Sequence, residues 1–356
     1  MFDVLVNRLI KMAGKNVILV AVATALVAVV GHLDGATATT VLITIPAMLP
    51  LWKHLKMRPT GLLFILGTAM GVMNLVPWGG PIVRVATVLN MDVTELWHLI
   101  LPFQGVCLLI TVLIAVLIGL IEKRRGAGVF TEKELLEEES RQQDPEVEAL
   151  KRPKLLWFNI LLTALLILGL VFSIMSSHVL FMIALAVALI VNYPDAGMQR
   201  KRFKAHASDA LDTSATLLAA AVFIGIMQNS GMLDAMVEAL LNVMPASMGR
   251  YMNLIAGVIS VPVGCCLGAD TFYYGLFPLL GEAAAYGVPQ LDVGVAMLIG
   301  KNVAMICSPL QPTTFLALGL AGTELNEHLK TNFPRTWLLS IGLCIIAILM
   351  GLMKIY

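Results

Sequence analysis

Apolar runs alternate with short polar interruptions along the whole chain, and the interruptions recur in the same order twice. Val17 to Val30 and Val41 to Leu51 are apolar, and between them lies Gly31-His32-Leu33-Asp34-Gly35-Ala36-Thr37-Ala38-Thr39-Thr40. Neither run reaches the roughly 20 residues of a full transmembrane helix. The pattern therefore predicts a short helix going in, a polar tip and a short helix coming back. Backbone at such a tip is tolerated only if it is buried in protein or lines a wet cavity. Ahead of this stretch, Phe2, Val4, Leu5, Leu9, Ile10 and Met12 recur at near-helical spacing around Arg8, Lys11 and Lys15, an amphipathic helix lying on a membrane surface.

After the basic turn Lys53 to Pro59, an apolar helix runs from Gly61 to Val76 and breaks at Pro77-Trp78-Gly79-Gly80-Pro81. Two prolines and two glycines cannot sustain helical hydrogen bonding, so the span is discontinuous. A polar turn, Asn90 to Glu95, leads into a full span from Leu96 to Ile121. Glu122 to Lys154 is charged and reads as a solvated linker. Then follow a helical pair, Leu155 to Phe172 and Val179 to Val191, and a basic loop at Arg200 to Lys204. A span from Ala210 to Met227 and an amphipathic stretch from Met232 to Met244 come next. Apolar sequence from Leu254, interrupted at Gly264 to Asp270, returns through Phe272 to Leu280. A span from Val293 to Ile306 breaks at Ser308-Pro309-Leu310-Gln311-Pro312, and Trp337 to Lys354 is the last span.

The two halves match in their succession of parts: Met-x-Asp, amphipathic helix, hairpin with an aspartate tip (Asp34, Asp270), and a span broken between two prolines. Loop charge orients them. Basic residues mark the cytoplasmic side, which places Arg8 to Lys15, Lys53 to Arg58, Lys123 to Arg125 and Arg200 to Lys204 inside. The first hairpin then enters from the cytoplasm and the second from outside. The fold expected is an all-α polytopic membrane protein of two inverted-topology repeats, each with a re-entrant helical hairpin and a discontinuous transmembrane helix. About three apolar segments precede Met232 and none precedes Met1, so the sequence is expected to lack its first helices, an asymmetric duplication being the alternative.

Composition agrees. Hydrophobic residues make up 58% and charged residues 13%, against about 25% charged in soluble domains, and the mean hydropathy is +0.87. A net charge of +1 with no basic-aromatic patch gives no ground for nucleic-acid binding. Cys107, Cys265, Cys266, Cys307 and Cys344 lie in apolar segments and read as buried small hydrophobes. No nucleophile elbow, phosphate loop or His-Glu-x-x-His is present, so an enzyme is not expected.

The candidate chemistry sits at the interruptions. Asp34 and Asp270 are intramembrane carboxylates able to bind a cation or take up a proton, or else to cap a helix. Helices starting at Gly35 and Thr271 would aim N–H groups at the tips, favouring an anion, with Thr37 in the first turn. The breaks free backbone groups at Pro77, Gly79 and Gly80, and Asn74, Ser308, Gln311, Thr313 and Thr314 add neutral partners. Arg84 and Lys301 are the nearest cations; either faces a polycarboxylate or neutralises Asp34 or Asp270, and Arg84 has the further option of snorkelling to the interface. His32 reads as a hydrogen-bonded interior histidine, and His178, Tyr273 and Tyr274 as packing or interface residues.

These residues carry a resemblance. Asp34 through Leu51, then Gly71-Val-Met-Asn-Leu-Val-Pro-Trp-Gly-Gly-Pro81, with Phe223-Ile-Gly-Ile-Met and Gly231-Met-Leu-Asp, resemble the CitMHS family of metal–citrate:proton symporters, within the ion transporter superfamily. The resemblance covers nearly the whole chain; full-length members carry extra N-terminal helices. It implies a multi-pass protein of the bacterial inner-membrane type, a homodimer in the lipid bilayer with a static scaffold and a moving, elevator-like transport domain. The cargo would be citrate complexed with a divalent cation of the magnesium or calcium type, driven by protons; no metal is expected to bind the protein directly, and no cofactor. Residues 1–95 and 210–335 would form the transport domain; 96–121, 155–209 and 336–356 would belong to the scaffold, and 122–154 would be a cytoplasmic linker. Lys301-Asn302-Val303 departs from the neutral Gln-Pro-like pair expected, an added cation that would favour a more highly charged or metal-free carboxylate. The alternatives are a sodium- or proton-coupled dicarboxylate carrier or antiporter of the same superfamily, and a non-transporting membrane fragment.

Overall fold

A computed structural model describes residues 16–128, 155–232 and 246–356, apart from 173, 176, 285 and 286 and with 235, 238 and 239 added. The amphipathic helix expected at the start, most of that at 232–244 and the linker from 129 to 154 lie outside these residues. Thirteen α-helices and no strand occur among the described residues. They are α1 (Val17–Gly31), α2 (Thr37–His54), α3 (Pro59–Met73), α4 (Gly80–Val88), α5 (Val93–Arg124), α6 (Leu156–Val171), α7 (Ser177–Asn192) and α8 (Ala196–Asn229). A 3-10 turn (Ala246–Tyr251) leads into α9 (Met252–Cys266), a π-helical turn (Thr271–Leu276), α10 (Phe277–Ala284), α11 (Gln290–Asn302), α12 (Pro312–Ala321) and α13 (Leu325–Leu349).

The chain divides into two compact units, one holding α6, α7 and α8 as far as Gly225, the other holding α1 to α5 and everything from Ile226 on. In the smaller unit α6 and α7 pack together and are pinned by two amides: Asn159 and Asn192 each donate Nδ2–H to the other's Oδ1 at 2.8 Å. The basic stretch Arg200 to Lys204 is part of α8 rather than a loop. Asp195 accepts the Met198 N–H at 2.7 Å, and after Gly197 no glycine or proline interrupts until Gly225, so strong helix formers carry the helix through the charges.

In the larger unit α1 and α2 form an antiparallel hairpin. Trp52 Nε1–H donates to Thr24 Oγ1 at 2.9 Å near the open end, and Gly31 lies against Thr40 and Thr44 near the turn. Asn16 caps α1 by accepting from Ile18 and Leu19 N–H. The broken spans are real breaks: α3 stops at Met73 and α4 starts at Gly80, while α11 stops at Asn302 and α12 starts at Pro312. α3 stops at Met73, whose carbonyl is the one that the Pro77 ring crowds; α11 stops seven residues before Pro309, beyond that proline's reach, and goes on as turns in which Ala304 N–H donates to the Lys301 carbonyl and Cys307 N–H to that of Ala304.

Two described helices, α5 and α13, are long and apolar enough to cross a membrane alone. Each begins earlier than hydropathy predicts. Asp92 caps α5 with bonds to Thr94 and Glu95 N–H. α13 starts at Leu325, not Trp337, because His328, Asn332, Thr336 and Ser340, spaced four apart, form one buried polar stripe. His328 Nε2–H donates to the Ile306 carbonyl at 2.9 Å, and Asn332 Nδ2–H to the Thr60 carbonyl at 2.9 Å. The stripe thus occupies carbonyls of the second break and of α3.

Packing in this unit has a reciprocal form. α1 packs on α3 and α5, and α9 packs on α11 and α13. α2 packs on α12, and the π turn packs on α4. α3 and α11, the first halves of the broken spans, pack on each other. Gly71 marks their crossing: a Cβ there would sit on the Asn302 carbonyl oxygen and 2.7 Å from Val303 Cα.

Candidate functional site

The first tip docks on the first break. His32 is fully buried; its ring touches Thr40 Oγ1 at 2.6 Å through Nδ1 and Asn74 Oδ1 at 3.1 Å through Nε2. A neutral imidazole satisfies both if the Thr40 hydroxyl donates to Nδ1 and Nε2–H donates to Asn74. Trp78 Nε1–H donates to the Leu33 carbonyl at 2.8 Å. Gly35, at φ +74°, lies against the same indole: a Cβ would be 3.1 Å from Trp78 Cδ1. Helix α2 begins at Thr37, not at Gly35, since Gly35 occupies the left-handed region that an α-helix excludes. Asp34 is exposed, and its Oδ1 accepts the Ala36 N–H at 2.9 Å, a local turn bond rather than a cap on α2. Thr37 is half-buried in the first turn of α2.

The second tip docks on the second break, with other chemistry. Ser308 Oγ–H donates to the Cys265 carbonyl at 3.0 Å and accepts the Leu310 N–H at 3.3 Å. Tyr273 O–H donates to Asn302 Oδ1 at 3.3 Å. Lys301, only 4% exposed, sends its ammonium over the Phe272 ring at 4.5 Å and the Tyr273 ring at 5.2 Å, a cation–π cradle. Its methylenes lie on Gly264, where a Cβ would meet them at 3.0–3.2 Å. Tyr273 and Tyr274 are therefore not merely packing residues; one binds Asn302, and both are buried at this break. Thr271 opens a π turn, not a short α-helix, and is exposed.

Arg84 decides between the aspartates. From α4 its Nε–H donates to Asp270 Oδ1 at 2.8 Å, while Nη1 lies over Gly80, 2.7 Å from where a Cβ would be. Arg84 is therefore not snorkelling away from the site. Among the described residues no ion pair joins Asp34 to either cation, nor Lys301 to either aspartate.

Not every predicted residue converges. Pro77 and Gly79 are buried inside the first break, and Gly79 has its own Asn74 and Val76 carbonyls where a side chain would be. Gln311 precedes α12 without capping it through its side chain; Thr313 is half-buried. Thr314 is buried with an unpartnered hydroxyl. Among the described residues no side-chain hydrogen bond ties Gln311, Thr313 or Thr314 to the groups around Asn74 or Lys301. Cys266 departs from the expected burial of cysteines: it ends α9 at the second tip and is exposed, whereas the other four are buried.

What the convergence leaves open is a set of buried donors. Asn74 and Asn302 each spend Oδ1 on a tip residue, and each leaves Nδ2–H without an acceptor. Lys301 Nζ and Tyr274 O–H are also buried and unpartnered. Buried donors without an acceptor cost the desolvation of the group, and four of those among the described residues fall on the two breaks and the second tip.

Residues 1–300 match the family model described as "Citrate transporter". The chain belongs to this citrate transporter family. It is 38% identical over 355 residues to a protein of Bacillus subtilis (strain 168) named citrate transporter, covering 99% of this chain and 82% of that one. It is also 38% identical over 359 residues to that organism's Mg(2+)/citrate complex secondary transporter, covering 100% of this chain and 82% of the relative. The family consists of transporters rather than enzymes and implies a membrane protein, and two described helices are long and apolar enough to cross a membrane.

Sequence reasoning missed the residues that lock tip to break. His32 was legible as an interior histidine but not as the bond between Asn74 and Thr40. Phe272, Gly71 and Gly264 carry no polar atom to draw attention. For Gly71 the available signal was its place one turn before Asn74, a small residue where a break must let a second backbone pass.

Proposed function

We propose that this protein is a secondary active transporter that carries citrate complexed with a divalent metal, in symport with protons. Its two halves are inverted repeats, and α1–α2 and α9–α10 are hairpins re-entrant from opposite sides of a cell membrane. Cargo binds where the tips meet the breaks. Asn74, Asn302 and Lys301 face its carboxylates, with Gly80 and Ser308 beside them. Asp34 is the carboxylate through which protons couple. The magnesium or calcium ion enters as part of the cargo, and the chain works as a homodimer with a static scaffold and a moving transport domain.

The observation that carries this reading is the set of unpartnered buried donors at two crossing breaks, in a chain 38% identical to the Mg(2+)/citrate complex transporter. Citrate offers acceptors, and metal binding lowers the charge that must be desolvated on binding. The test is uptake of labelled citrate into proteoliposomes under an imposed pH gradient, with and without magnesium or calcium. Metal-dependent accumulation that collapses with the gradient is expected. Metal-independent uptake would remove the complex as cargo and favour a dicarboxylate-type carrier.

A further inference from the structure

Charge bookkeeping around the second break leaves one cation over. Arg84 is ion-paired with Asp270 at 2.8 Å, and the two charges cancel. Among the described residues Lys301 has aromatic faces but no hydrogen-bond acceptor: its ammonium is buried over the Phe272 and Tyr273 rings. Among the described residues, Arg84, Cys265 and Asp270 are the titratable groups within electrostatic reach, and of these Arg84 and Asp270 are charged. A buried, unpaired ammonium is costly, and a cation–π cradle offsets only part of that cost.

We propose that Lys301 reads the net charge of the cargo, its ammonium taking the one carboxylate that the metal leaves uncompensated. The inference rests on the reading of the protein as a metal–citrate carrier. Citrate carries three carboxylates and a divalent ion two positive charges, so the complex keeps one negative charge. One unpaired ammonium matches one residual carboxylate. Metal-free citrate brings three, and Arg84 is already committed to Asp270, so the site holds too few cations for it. The added cation at 301 therefore selects for the complex, opposite to the expectation for a cation considered without its neighbours. The adjacent Asn302 Nδ2–H, buried without an acceptor, supplies a neutral donor to the same carboxylate. Gly264 is part of the device, because a side chain there would press on the Lys301 methylenes.

The test is calorimetric binding to the purified full chain in detergent, using citrate with saturating magnesium and a citrate monoamide whose magnesium complex is neutral. Wild type is expected to prefer the magnesium–citrate complex. Lys301→Met should lose on the order of a hundredfold for magnesium–citrate and little for the neutral complex; Lys301→Arg should stay within about tenfold of wild type for both. Gly264→Ala keeps the charge, displaces the stem and should weaken magnesium–citrate several-fold, which gives a second readout if the Met variant does not fold. Equal losses for both complexes, or a Met variant that binds magnesium–citrate like wild type while Asn74→Ala does not, would overturn the role of Lys301 and leave the carrier reading intact. Failure of wild type to bind any citrate species would overturn both.

Discussion

Replacing Gly71 by alanine tests whether the two breaks are held together by contact of their backbones. In an isolated helix the change would stabilise by about 1 kcal/mol, since glycine is the costlier residue. Here the new methyl would lie on the Asn302 carbonyl, 2.7 Å from both the Asn302 carbonyl carbon and Val303 Cα. Ordinary carbon contacts lie near 3.5–4.0 Å, so α3 and α11 must separate by roughly 1 Å, and the opposing atoms are backbone rather than a side chain that can swing away. Overpacking of this kind costs about 1–3 kcal/mol, which overrides the helix gain. Gly105, in α5 with nothing within 4 Å of where a Cβ would stand, is the control; Gly105→Ala should raise the melting temperature slightly. On the proposed reading Gly71→Ala also moves Lys301 and Asn302 and should lower citrate uptake at least tenfold. The assays are melting of both variants in detergent and uptake into proteoliposomes. A Gly71→Ala protein that melts and transports like Gly105→Ala would refute the tight crossing.

Other outcomes follow from single contacts. Glu122 is 2% exposed and accepts from Arg58 Nε at 2.8 Å and Arg125 Nη1 at 2.8 Å; both arginines keep access to water, so Glu122→Gln should destabilise by about 2 kcal/mol rather than the larger cost of a fully buried pair, read as a lower melting temperature. Asp34→Asn should abolish proton-coupled uptake while leaving exchange of internal for external citrate, since the Asn amide oxygen can still accept the Ala36 N–H; unchanged pH dependence of uptake would sink that role. Cys266, the exposed thiol at the second tip, should take up a maleimide in the folded protein ahead of the four buried cysteines, and magnesium–citrate should slow the reaction. Labelling of Cys107 or Cys344 at a comparable rate would contradict their burial.

The breaks were legible in the sequence because proline and glycine act through covalent geometry, which no tertiary context removes. The turn of the first hairpin was legible because a ten-residue polar stretch interrupts an apolar run. Features set by tertiary partners were not. Glu122 reads as the start of a solvated linker, yet α5 continues to Arg124 and buries it, because Arg58 arrives from another helix to meet it. The start of α13 was hidden because its inward stripe is polar and hydropathy counts it as loop. The basic run at Arg200 to Lys204 reads as a loop from its charge alone, although Lys and Arg are good helix formers. The pairing of Arg84 with Asp270 joins residues 186 apart, and spacing left both aspartates open to it.

The two tips share a plan and differ in electrical state. The second is tethered, because Asp270 holds Arg84 of α4; the first carries Asp34 with only a backbone N–H to accept from. The tether is half in water: Asp270 is 55% and Arg84 22% exposed, and such pairs contribute modestly. Being that exposed, the tether is also open to screening by salt. Among the described residues the first tip has no ion pair; it is held by neutral bonds from Trp78 to Leu33 and from His32 to Asn74, which salt does not screen. High ionic strength therefore acts unequally on a plan that is otherwise reciprocal, weakening the hold on the second tip while leaving the first docked.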